Sequence, residues 1–269
     1  MLFKKHVSVH EKSNVRFIEG TVAFNKVKLN TISFEIDGIL IDTGAKSLIK
    51  EFRPFFAAAD IDKVMITHHH EDHAGAAAFL QKEYGLPIFT HRMTIEENKE
   101  KGKYPVYRKV FWGNREPFFS QPIGQSFTSR NAEWSVIESP GHAKDHLAFL
   151  NKQTGQLFSG DLFVTPKTKL VLRDESIPTI IESIERVLTY DFGEMFCCHA
   201  GYLEDGRKAL NTKLSYLKGL QDEVFTLKQQ GYQEKEIQEK IFAKKYPITL
   251  FSFGEWNSLH IIRSILNDT

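Results

Sequence analysis

Residues 67–73 read Thr-His-His-His-Glu-Asp-His and follow directly on a short apolar run over 63–66. No feature of the chain limits its fold more. Imidazoles and carboxylates crowded at a strand end resist burial unless something compensates them. They are also the usual ligands of zinc and similar divalent metals. A polar turn that happens to be rich in histidine is the plainer alternative for this heptapeptide alone. More donors of the same kind elsewhere in the chain would decide between the two.

The surrounding pattern is one of short strands alternating with helices. Residues 31–36 and 39–41 flank Asp37-Gly38, a dipeptide that favours a two-residue hairpin. Residues 74–84 have helical character with Gly85 as their stop, and 86–90 read as a buried strand. A second series begins near Trp134. It has a strand over 134–138 and a hairpin of 147–150 with 157–159. A helix with the apolar face Ile180, Ile181, Ile184, Val187 and Leu188 and a last strand over 195–198 complete it. Between the series, residues 92–127 are charged, aromatic and broken by Pro105, Pro117 and Pro122, as expected of an insertion folded over the domain. Beyond about Asp205 the character is helical. Leu214, Leu217, Val224 and Leu227 form a stripe, a second helix spans 233–244, and a third follows Gly254. The expected organisation is a catalytic domain over 1–205 with a helical extension over 206–269 packed on it.

Three further segments carry donors: Ser139-Pro140-Gly141-His142, Phe158-Ser159-Gly160-Asp161 and Phe196-Cys197-Cys198-His199-Ala200-Gly201. Each puts a histidine or aspartate at the end of an expected strand, where α/β folds gather ligands. With these segments in order, the chain resembles the metallo-β-lactamase superfamily. The family's H-x-H-x-D-H motif stands here as His68-x-His70-x-Asp72-His73, and Ile41-Asp42-Thr43-Gly44 upstream is also family-like. The resemblance covers about residues 15–205.

It implies a four-layer αββα sandwich of the α/β class, with two divalent metals at one edge between its αβ halves and the helical extension at the C-terminus. It also implies that His68, His70 and His142 hold one metal, that Asp72, His73 and His199 hold the other, and that Asp161 bridges them. Asp72 is expected to act in catalysis as well. Zinc is the expected metal, with iron and manganese also suited. Three neutral histidines leave a metal fully positive, which lowers the pKa of its water to about 7, and two metals about 3.5–4 Å apart can share a hydroxide and polarise a substrate oxygen.

Neighbouring residues carry lesser expectations. His69 should turn away from its ligating neighbours, and His146 should support the ligands from behind. Asp42 either orients a ligand histidine through its far nitrogen or shapes a turn. Glu71 is expected to be exposed, His91 to lie at the surface, and Cys197 and Cys198 to be small buried residues beside the site. The spacing of His69 and His73 imitates the H-E-x-x-H metalloprotease helix, but His70 stands where the glutamate should be. That reading also leaves His142, Asp161 and His199 without a role.

The substrate is narrowed by departures from relatives. The antibiotic-degrading branch has a cysteine where this chain has Asp161, redox relatives have glutamate in place of His70, and long nuclease relatives need a further domain. The pattern looks like that of the thioesterases, lactonases and phosphodiesterases. An ester, thioester or lactone hydrolase is expected, with a phosphodiesterase and a non-catalytic metal-binding module as alternatives. Lys167, with Lys169 and Arg173, is a candidate for a substrate carboxylate or phosphate. Phe55, Phe56, Tyr107, Phe111 and Trp112 are candidates for an apolar pocket. In the family the residues after the last metal histidine lie at the metal edge, so the C-terminal helices are expected to begin beside the pocket, with Trp256 and His260 on its wall.

Composition bounds the partners. A formal charge of +1 offers no strong field for nucleic acid or an anionic membrane. No run is apolar enough for a signal peptide or a span, and two adjacent cysteines do not suggest a disulfide. A small-molecule substrate and a cytoplasmic location are the expectations.

Overall fold

The computed structural model of the chain describes residues 3–267. Two sheets face each other. The first contains β1 (Lys4–Lys12), β2 (Val15–Phe24), β3 (Val27–Ile36), β4 (Ile39–Ile41), β5 (Lys63–Met65), β6 (Ile88–Thr90) and β7 (Gln121–Pro122) in that spatial order. It is antiparallel from β1 to β4 and parallel from β4 onward. The second contains β8 (Ser126–Thr128), β9 (Glu133–Glu138), β10 (Leu147–Asn151), β11 (Leu157–Phe158), β12 (Met195–Cys197) and β13 (Gly201–Leu203), with β11 and β12 as its parallel pair.

Strands with continuous apolar sequence are buried on both faces, and here alternate residues enter different cores. Phe34, Ile36, Ile41, Phe149, Phe158 and Phe196 meet between the sheets. Leu40, Val64 and Ile88 turn to the other side of the first sheet, under α1 (Ile49–Ala58), α2 (Ala77–Tyr84) and the later α4 (Val106–Trp112). Ala148, Leu150, Leu157 and Met195 turn outward from the second sheet, under α5 (Ile177–Leu188) and α6 (Gly206–Gln229). The result is a four-layer αββα sandwich, as expected. Asp37 (φ 49°) and Gly38 (φ 79°) form the hairpin turn, with Ile36 paired to Ile39.

The first 30 residues, where no strand is expected from the sequence, build β1, β2 and the start of β3. β1 is an edge strand rich in lysines and histidines with no buried side chain, a composition that discourages edge pairing. Residues 92–127 supply the short α3 (Ile95–Asn98) and α4, and end by adding β7 to one sheet and most of β8 to the other. Three more helices close the chain, α7 (Glu234–Ile241), α8 (Pro247–Phe251) and α9 (Ser258–Asn267), and α9 packs on α5, α6 and α7. No helix among the described residues is long and apolar enough to cross a membrane.

The start of α6 corrects an expectation. β13 runs antiparallel to β12 and carries the chain away from the end that bears His199. Asp205 therefore caps α6 at the opposite end of the sheet, where Gly206 N–H donates to the Gly193 carbonyl at 2.8 Å. The helix then climbs back, and two turns later Lys213 Nζ donates to the carbonyls of Leu162 (2.8 Å) and Phe163 (2.7 Å), just beyond Asp161.

Burial lowers the Lys213 amine from 10.5 to about 8. Between these values the unfolded chain holds a proton that the folded one does not, so stability rises with pH in that window. Urea unfolding of the wild type and Lys213→Met across pH 8–10.5 should show the wild type gaining up to about 3 kcal/mol relative to the variant. A difference that stays flat with pH would mean that the amine is not held in this way.

Candidate metal centre

The carboxyl ends of β4, β5, β9, β11 and β12 meet at one edge of the sandwich. Asp42 follows β4, residues 67–73 follow β5, His142 follows β9, Asp161 follows β11 and His199 follows β12. The two halves are tied there by the Leu147 N–H, which donates to the Thr67 carbonyl at 2.8 Å.

All seven residues expected as ligands come together, as overlapping triads of His68, His70 and His142, of His68, His73 and Asp161, and of Asp72, His73 and His199. His70 Nδ1 lies 3.0 Å from His68 Nε2 and 3.1 Å from His142 Nε2. Asp161 Oδ2 lies 3.0 Å from His199 Nε2, 3.3 Å from His142 Nε2 and 3.4 Å from His73 Nε2, so one carboxylate touches both groups. Asp72 Oδ2 stands 3.6 Å from His199 Nε2 and 3.8 Å from His73 Nε2.

The electrostatics divide the cluster in two. Burial and the neighbouring imidazoles, joined at His70 by the Arg108 guanidinium, push His68 and His70 well below the ordinary value, so both present neutral rings. Burial also pushes His73 and His199 down, but the nearby aspartates, Asp161 foremost, outweigh it and raise both. Burial opposes ionisation of Asp161, yet His199 and His73 hold it well below the carboxylate range. An anionic pocket that retains protons on imidazoles would equally hold a cation in their place. His73 Nε2 and Asp161 Oδ1 are buried with no hydrogen-bond partner, while the other polar atom of each side chain is engaged, His73 Nδ1 with Asp42 and Asp161 Oδ2 with His199. Orphaned atoms of this kind are costly, and a metal ion would satisfy them. The donor set therefore fits divalent metal.

Behind the donors stands a second layer. Asp42 Oδ2 lies 2.8 Å from His73 Nδ1, and this carboxylate also accepts from Thr67 N–H, Thr67 Oγ1 and Cys198 Sγ. His199 Nδ1 donates to the Asn30 carbonyl at 2.7 Å. Burial lowers His146 to about 4, leaving its Nε2 free to accept the Asp161 N–H at 2.9 Å, while Nδ1 meets Ser139 Oγ. The ring fits because Gly160 has no Cβ, which would sit 2.6 Å from His146 Nε2. Glu175 was missed by sequence reasoning: its Oε2 lies 3.0 Å from His142 Nδ1 and its Oε1 accepts the Leu172 N–H. Nothing local distinguishes it from the other acidic residues before α5.

The donors open on a cleft of about 1030 Å³, with His70 and His142 at its inner end. Residues 92–127, the loop after Asp161 and the turn after α8 form its walls. His69 lies on the cleft, bonded to Asp145 at 2.7 Å rather than to the other histidines. Glu71 contradicts its expected exposure. It is 2% exposed, because Arg108 of α4 clamps it through Nε (2.6 Å) and Nη2 (2.8 Å). Arg108 also reaches Glu255 in the turn after α8, at 3.4 Å. Four substrate candidates do not line the cleft. Lys167 and Lys169 are exposed elsewhere, Trp256 is half-buried, and His260 is buried with its Nε2 donating to the Gly254 carbonyl. Arg173 does line it, as do Ser252, Phe253 and Glu255 from the C-terminal segment. Of the aromatic candidates only Tyr107 faces the cleft; Phe55, Phe56, Phe111 and Trp112 belong to the core under the first sheet. His91 is half-buried and lies 3.8 Å from Glu138.

The sequence model of the metallo-beta-lactamase superfamily matches residues 36–215. The chain belongs to the metallo-β-lactamase superfamily. This superfamily member is 27% identical over 135 residues to the probable metallo-hydrolase YybB of Bacillus subtilis, a match covering 50% of the chain and 60% of that protein. It is 29% identical over 143 residues to a hydroxyacylglutathione hydrolase of Pectobacterium carotovorum, covering 52% and 48% respectively. The matches thus span about half the length of these curated relatives. In fold it resembles a beta-lactamase domain protein from Burkholderia ambifaria, with a TM-score of 0.67, 17% identity, and coverage of 96% of this chain and 87% of that one. Coverage so nearly complete takes in most of the C-terminal helices.

The Arg108 clamp can be tested apart from any metal. Removing one partner of a buried ion pair leaves an uncompensated charge and costs about 3–5 kcal/mol. Arg108→Met should show a loss of that order in urea unfolding, and adding Glu71→Gln should recover part of it. An additive double mutant would show that the pair does not act as a unit.

Proposed function

We propose that this protein is a dinuclear metal-dependent hydrolase acting on an ester, thioester or lactone bond of a small molecule. The observation that carries the reading is the pair of orphaned buried atoms, His73 Nε2 and Asp161 Oδ1, within seven converging donors, two of which, His70 and His142, line the cleft. In this reading His68, His70 and His142 would hold one ion, Asp72, His73 and His199 would hold the second, and Asp161 would serve both. Zinc suits the imidazole-rich set, as do iron and manganese. Bound there, two ions supply Lewis acidity and an acidified water at neutral pH.

The chain's own residues do the rest. Asp42, Glu175 and the Asn30 carbonyl fix the far nitrogens of His73, His142 and His199, which sets the direction of each ring. Asp72 takes a second task, because its Oδ2 sits at the junction with His73 and His199 and can hold the proton that an attacking water loses. The cleft confines the substrate and excludes bulk water on one side. Its charged lining is balanced, five cationic and five anionic side chains, so no cationic surplus favours a phosphodiester. The names of the relatives as metallo-hydrolase and hydroxyacylglutathione hydrolase support the same class. Residues 1–205 form the catalytic unit in this reading, and residues 206–269 an extension that braces it.

Protein purified without chelator should carry about two metals per chain on elemental analysis. Asp161→Asn removes the charge that lets two cations lie close, so it should fall towards one metal. Its turnover on a panel of thioesters and lactones should drop by more than the roughly 10- to 100-fold that outer partners give. A folded wild type that takes up no metal, or a variant that keeps both metals and full activity, would overturn the assignment. Selective turnover of phosphodiesters on the same panel would move the protein to that class.

A further inference from the structure

The cleft changes character along its length. Its inner end is lined by His69, His70, His142 and Glu71, whereas its exposed lining sets three apolar side chains among the charged Glu97, Lys103, Lys144, Arg173 and Asp174. Met93 (60% exposed), Val106 (73%) and Phe253 (92%) are among eight large hydrophobic residues exposed on the described chain. They come from three separate segments: the turn after β6, the start of α4 and the turn after α8. Single exposed hydrophobics are ordinary, but three converging from distant parts of the sequence on one concavity are not random scatter.

Phe253 is held in place rather than left loose. Its backbone has φ +53°, a left-handed conformation that is costly for a bulky residue and persists only when its surroundings impose it. The turn is fixed by Phe253 N–H to the Leu250 carbonyl (3.1 Å), Gly254 N–H to Thr249 (2.9 Å) and Trp256 N–H to Ser252 Oγ (3.0 Å). His260 Nε2 holds the Gly254 carbonyl at 2.9 Å, and Arg108 reaches Glu255. A strained, braced turn thus presents an aromatic ring to water at the entrance of the cleft. Such a ring gains most from a ligand that covers it with apolar surface.

Resting on the hydrolase reading above, we infer that the mouth of the cleft is a subsite for an alkyl or aryl group of several carbons attached to the scissile ester or thioester, gripped by Met93, Val106 and Phe253. The reacting bond lies at the inner, polar end, so one side of the substrate must extend outward along the cleft. On that side Met93, Val106 and Phe253 offer it apolar contact.

Two substrate series assayed on the metal-loaded protein test this. One lengthens the acyl chain from two to ten carbons on a fixed polar thiol, and the other lengthens the alcohol on a fixed acetyl group. In the series whose chain points outward, kcat/KM should rise about two- to fourfold per methylene, mainly through KM. Phe253→Ser, Val106→Ser and Met93→Ser combined should flatten that rise while leaving the shortest substrate within about twofold of the wild type. Calorimetric binding of decanoate against acetate gives a second readout that needs no turnover, and decanoate should bind the triple variant at least about tenfold more weakly. Two flat series overturn the subsite. If no substrate turns over, the hydrolase reading falls, and equal decanoate affinity in the wild type and triple variant then overturns the subsite separately.

Discussion

A single buried carboxylate, that of Asp42, sets the geometry of the metal edge. It is fully enclosed, and its backbone adopts a left-handed φ of 57° at the end of β4. A charge in such a place is tolerable only with several donors, and it has four, from Thr67 (twice), His73 and Cys198. Those donors belong to the end of β5, to the histidine motif and to the end of β12, so one side chain draws strand ends from both sheets to a common point. The positions of His68, His73 and His199 follow from it, and Asp161 then closes the gap between the halves.

The part of this arrangement legible in the sequence is the part written locally. The motif 67–73, the Asp37-Gly38 turn, the stop at Gly85 and the apolar face of α5 each declare themselves within a dozen residues, and the structure has each. What was not legible depends on partners distant in sequence. Glu71 looks like an exposed charge until Arg108, 37 residues later, folds over it. Glu175 looks like one acidic loop residue among several until His142 turns towards it. The supporting carbonyl of Asn30 carries no side-chain signal at all. β1 and β2 lack a strict alternation of buried and exposed residues, because β1 is a charged edge and β2 is buried on both faces for most of its length.

The C-terminal helices show how a sound local reading can fail in space. Their amphipathic stripe is real, since Leu217 and Val224 are fully buried in the outer core of the second sheet. Their starting point was misplaced because three residues, Gly201 to Leu203, reverse the chain as β13 before α6 begins. α6 nevertheless returns to the centre through Lys213, and the chain returns again where Asn257 pairs with Val171. The extension reaches the metal edge from behind, through the loop that follows Asp161. At the front it supplies only the turn after α8.

The cage and much of the wall of the cleft thus come from different parts of the molecule. Every donor follows a strand end of the sandwich, and the loops after His142 and Asp161 add to the wall, but the apolar side chains at the mouth stand in residues 93–108 and in the turn at 252–255, which hang from its margins. Residues 93–108 meet the motif through the Arg108 clamp on Glu71, and the loop after His142 meets it through the Asp145 bond to His69. Such a layout separates two evolutionary pressures. Drift in the hanging segments can retune which molecules are admitted, one exposed side chain at a time, while the chemistry at the strand ends is inherited unchanged.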